Sequence, residues 1–217
     1  MANQSGCVYG LTILSPIIDD PKSDISHDCA LRSYLATLPN GHHSPFAKIS
    51  STHMSRLVVM DDVVFVGVPA REEHLQSKYL VFESNLDGEL EPYLTMMAQK
   101  TPEFVDAVWS HCVGYPGVRD VPAWIAYMKK CQIDTTFFFA DVNTHTVQST
   151  LKALRIQASV AHFIAEHQGL PAAELQAAFR DFFGRIKSMP DEEPGRHDAP
   201  GAHQVIPLNK SMAAHNG

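Results

Sequence analysis

Residues 79–94 read YLVFESNLDGELEPYL. The stretch begins as a strand, with Leu80, Phe82 and Ser84 on one face and Tyr79, Val81, Glu83 and Asn85 on the other. It breaks at Asn85-Leu86-Asp87-Gly88, and Leu90, Tyr93 and Leu94 then recur at helical spacing. Gly88 permits the tight turn, and Asp87 is placed to cap a helix starting near Glu89. A strand that turns sharply into a helix, with Glu83 and Asn85 on its mixed face, sets the frame for the rest of the chain.

Upstream, VYGLTILSPI (8–17) reads as a strand closed by Pro16 and the turn Asp19-Asp20-Pro21. Residues 24–38 follow as a helix ended by Pro39-Asn40-Gly41. HMSRLVVM (53–60) is a second strand, broken at Asp61-Asp62, with a short continuation in VVFVGV (63–68). Strand 78–85 is the third. Downstream, helices are predicted over 88–99, 101–111 and 120–131, with Pro102 at a first helical position and Lys129 and Lys130 in a last turn. TTFFFADV (135–142) reads as a fourth strand. Two helices, over 143–169 and 170–186, close the folded part. The order strand, helix, strand, strand, helices, strand is the ferredoxin-like βαββαβ unit, an α+β four-stranded antiparallel sheet with additional C-terminal helices. The reading gives one domain over 1–187 and a Pro-, Gly- and His-rich tail over 188–217, extended over the surface.

Helices on one side of a sheet leave its other face to a partner sheet, to the C-terminal helices or to a ligand. Alternation sends Thr12, Arg56, Glu83 and Asn85 to that free face. Arg56 and Glu83 sit on neighbouring strands and are expected to pair, either over a pocket, on a wet surface or inside a dimer interface.

The chain carries 17 basic and 24 acidic residues, a net charge of −7, which disfavours nucleic acid and anionic membranes as partners. No run reaches the roughly 18 apolar residues of a spanning helix, and the start lacks a basic leader. Cys7, Cys29, Cys112 and Cys131 show no CxxC spacing and read as reduced thiols of a cytoplasmic protein. No GxGxxG, P-loop, GxSxG or HExxH motif is present. Twelve histidines leave room for a metal or haem ligand; His111, His145 and His162 are the candidates placed in or beside structured elements.

Ser84-Asn85-Leu86-Asp87-Gly88 after a strand, in this element order, resembles the dye-decolourising peroxidases and related haem proteins of the dimeric α+β barrel class. Their signature is a G-x-x-D-G turn whose aspartate faces haem, followed by a proximal histidine and then an arginine. Asp87-Gly88 match its end, Ser84 stands at its first glycine, and His162 then Arg180 keep the later order. The chain is short for a family that carries two such halves in one polypeptide. The resemblance implies a haem-dependent, peroxidase-like oxidoreductase acting on peroxide or a small organic substrate in a pocket over the sheet, and a homodimer. In that reading His162 (or His145 or His111) is the axial metal ligand, Arg180 belongs to the cofactor site, and Asp87 and Arg56 handle the peroxide, with Glu83 and Asn85 nearby. The second reading is a cofactor-free ferredoxin-like protein whose sheet face forms a dimer or binds a small ligand without catalysis.

Overall fold

The computed structural model of the chain describes residues 3–190, apart from positions 65, 69, 70 and 72. Most of the tail expected over 188–217 therefore lies outside the described residues. Three long strands carry the sheet: β2 (Val8–Pro16), β3 (Thr52–Met60) and β4 (Tyr79–Asp87). A two-residue strand, β1 (Gln4–Ser5), joins them, and the order across the sheet is β1-β2-β4-β3, all antiparallel. Central β4 alternates as its sequence predicts. Leu80, Phe82, Ser84 and Leu86 are buried, while the residues between them are partly open. Arg56 stands opposite Glu83, and Glu83 opposite Thr12.

One face of the sheet is covered by α1 (His27–Ala36), α2 (Leu90–Lys100), α3 (Pro102–Trp109) and α4 (Val121–Cys131). The core lies between the layers. Trp109 meets Trp124 edge-on at 5.2 Å and Phe82 at 5.4 Å. Trp109, Trp124, Phe82, Leu11 and Ile13 are fully or almost fully buried. One polar cluster interrupts this apolar contact. The Ser84 hydroxyl lies 2.8 Å from the Tyr93 hydroxyl and 3.0 Å from Ser55 Oγ. Burial raises the Tyr93 pKa above its ordinary value, so the phenol stays neutral and shares its proton within the cluster.

The expected fourth strand is corrected. Residues 135–142 form no strand, and the outer edge of β2 is taken by other segments. β1 reaches it through the two-residue turn Gly6-Cys7, with Gly6 at φ +62°, the glycine-first geometry of a tight hairpin. Farther along, Ile133 donates its amide to the Thr12 carbonyl and Val113 donates to the Pro16 carbonyl. With the edge occupied, the 135–142 segment lies across the free face, tied by side chains. Thr135 donates its amide to Asn3 Oδ1 at 2.7 Å, and Ala140 donates to Ser5 Oγ at 3.3 Å. The strand continuation expected over 63–68 is likewise not found among the described residues: β3 ends at Met60, and those described among 61–68 are not strand.

The two C-terminal helices are α5 (Val147–Glu166) and α6 (Ala172–Lys187). Phe163 stacks on Phe182 at 4.5 Å and meets Phe179 at 6.0 Å, which makes the pair a helical hairpin. Among the described residues no helix is long and apolar enough to cross a membrane.

Candidate functional site

The free face of the sheet carries a cavity of about 660 Å³. Its floor is Gly10 and Thr12 of β2, Glu83 and Asn85 of β4, and Met54 and Arg56 of β3. Its wall is Phe138 with Thr135, from the segment displaced out of the sheet. A Cβ on Gly10 would stand 2.8 Å from the Phe138 ring, so the ring can lie on the sheet only because residue 10 has no side chain. Phe137 and Phe139 point the other way and are largely exposed. The alternation predicted for a strand survives, although the segment has no strand ladder.

Arg56 and Glu83 form the ion pair expected from their positions. Arg56 Nε donates to Glu83 Oε2 at 2.8 Å, and Nη2 contacts the same oxygen. The Arg56 side chain is 69% exposed and that of Glu83 37%, so the pair borders water at the mouth of the cavity. Such a cross-strand pair contributes at most about 1 kcal/mol to stability. Its larger effect is to cancel charge at the site.

Asp87 is placed otherwise than expected. It does not cap α2, whose N-cap is Glu89. Its Oδ1 lies 2.7 Å from Nε2 of His53, and its Oδ2 accepts the Val147 amide at 2.8 Å. His53 sits at an irregularity of β3, where the register shifts between Thr52 and Met54. Asp87 therefore ties the start of β3 and the end of β4 to the N-terminus of α5, a favourable place for a carboxylate. Four residues separate it from Glu83 along β4, roughly 13 Å, and Asp87 is not among the residues lining the cavity that Arg56 and Glu83 border. Ser84, at the glycine of the family signature, borders the cavity, but its hydroxyl turns to the helix side, 2.8 Å from the Tyr93 hydroxyl.

The haem-ligand candidates do not converge on this cavity. His162, on α5, pairs with Glu166 one turn on at 3.0 Å. His145 is exposed in the loop before α5, and Arg180 is exposed on α6. His111 packs against His27, their Nδ1 atoms 3.0 Å apart, beside the far end of β2. Burial, and secondarily His27, lowers its pKa. None of the three histidines lines the cavity, and among the described residues no three His, Cys, Asp or Glu side chains are grouped to hold a metal ion. The residues present do not fit a haem over the sheet.

Gly10, Met54, Thr135 and Phe138 belong to the cavity but were not singled out in the sequence. Phe138 alone carried a signal, its opposite phase to Phe137 and Phe139. Cys112 is buried, and burial pushes its thiol up to about 12, so it is inert rather than nucleophilic. No family model, no curated protein and no solved structure matches this chain, so what the cavity does must be argued from the groups that line it.

Proposed function

We propose that the chain is a small-ligand-binding protein without a resident cofactor, its ligand lying in the cavity over the free face of the sheet. One observation carries this reading: Phe138 is laid over the sheet at Gly10 and faces an uncapped polar floor. That arrangement keeps a 660 Å³ space open, within the roughly 300–1,000 Å³ range of small-molecule sites. The chemistry of the walls defines the ligand class. Phe138 and Met54 offer apolar contact, and Asn85 and Thr12 offer hydrogen bonds. Arg56 and Glu83 neutralise one another, so an uncharged, flat molecule with one polar edge suits the site best. The fold belongs with ferredoxin-like sheets in this reading, a placement supported by the order β2-β4-β3 of the three long strands.

The test uses 1-naphthol, 1-naphthoate and 1-naphthylmethylammonium, which share a ring and differ in charge. Saturable binding of 1-naphthol to the full chain, weakened at least about tenfold by Phe138→Ala, is the expected result. Failure of every probe to bind would remove the proposal. A Soret band that sharpens and shifts from that of free haemin, saturating at a fixed stoichiometry, would favour the haem reading instead.

A further inference from the structure

The α5–α6 hairpin exposes an apolar groove. Phe163 and Phe182 form its buried floor. Val160 and Ile164 of α5, Leu170 of the connection, and Leu175, Phe179 and Phe183 of α6 stand around it, each at least one-third open to water. On α6 the residues 175, 179, 182 and 183 recur at helical spacing and so share one face. The polar side chains lining the groove are His167, Gln168 and Gln176, and at its rim, beyond the lining residues, Lys187 Nζ stands over the Phe183 ring, 5.7 Å from its centroid.

We propose that this groove is closed by the same groove of a second copy, two hairpins joining as a four-helix bundle. Two helices alone cannot cover an apolar stripe on each; a second layer is needed, and a second hairpin of equal length supplies it. The six open side chains present roughly 500 Å² per copy, so two copies bury up to roughly 1,000 Å², the threshold of a specific interface. A two-fold contact brings each patch onto itself, and a groove lined by no acid, lysine or arginine, with Lys187 held at the rim over Phe183, meets its copy without like-charge repulsion at its centre. A lipid surface is the weaker occupant, because the chain's net charge of −7 opposes an anionic bilayer. This inference does not depend on the ligand reading of the sheet face.

Sedimentation of the full chain at micromolar concentration tests it. The expected species has twice the chain mass of 24.0 kDa. Phe179→Arg and Phe179→Glu are each expected to weaken the dimer about a hundredfold, as when a buried aromatic anchor is lost from both copies. An equimolar mixture of the two variants is expected to recover part of the dimer, because opposite charges then enter one interface in place of like charges. Far-ultraviolet circular dichroism confirms that each variant keeps its helices. A wild-type monomer overturns the proposal, as does a dimer that neither variant weakens. Wild-type monomer that floats with phosphatidylserine-containing vesicles, and loses this with Phe179→Arg, overturns it in favour of a membrane surface.

Discussion

Trp109 on α3 and Phe179 on α6 are both aromatic residues on amphipathic helices, yet they end in opposite environments. Trp109 is fully buried, ringed by Phe82, Phe104 and Trp124, whereas Phe179 is half exposed. The difference lies in what each helix is given to pack against. The sheet offers α1–α4 a broad apolar face, and α5 and α6 have mainly each other. One layer completes its core within the chain; the other leaves an apolar surface that a partner can close.

The largest effect that distinguishes the two regions is on stability. Trp109→Ala is expected to cost about 3–5 kcal/mol in denaturant unfolding, by opening a cavity in the core. Phe179→Ala in dilute solution is expected to cost under about 1 kcal/mol, as for a partly exposed side chain. Equal losses would break the contrast. Next comes Gly10→Ala, which sets a methyl group against the Phe138 ring. It is expected to cost about 1–3 kcal/mol by overpacking and to lower 1-naphthol affinity together with stability. Unchanged affinity would separate Phe138 from the site. Asp87→Ala removes the acceptor at the start of α5 and is expected to cost about 0.5–2 kcal/mol, with faster amide exchange at Val147 and no change at α2.

The smallest effect is with pH. In the folded chain His111 has a lowered pKa, caused first by burial and then by His27. The unfolded chain therefore binds its proton more readily. Stability is full above the unfolded value of about 6.5 and falls as pH drops from there toward the lowered folded value. Thermal melts from neutral to mildly acid pH should show this fall, and His111→Gln should flatten it. A His111→Gln profile as steep as the wild type would contradict the assignment.

The three long strands were readable because each holds nine residues and burial alternates along most of it, in β2 from Leu11 onward. Central β4 repeats the phase of its sequence residue by residue. The Arg56–Glu83 pair was readable for the same reason, since alternation and adjacency were enough to place both side chains on one face. The fourth strand failed because a competitor of two residues, Gln4–Ser5, holds the edge of β2. A strand that short has no period, and its one sign was Gly6 at the turn. Asp87 was misplaced because helix caps are local habits, whereas its carboxylate reaches a helix that begins 60 residues later. The histidines show the same limit: spacing along the chain could not tell that His27 would face His111, and His53 would face Asp87.

The most direct test of the account is a map of amide chemical shifts in the labelled full chain as 1-naphthol is added. Shifts are expected to saturate at Thr12, Met54, Glu83, Asn85 and Phe138, with α5 and α6 unmoved. Shifts confined to the groove of Ile164, Leu175 and Phe179, with the sheet face silent, would contradict it.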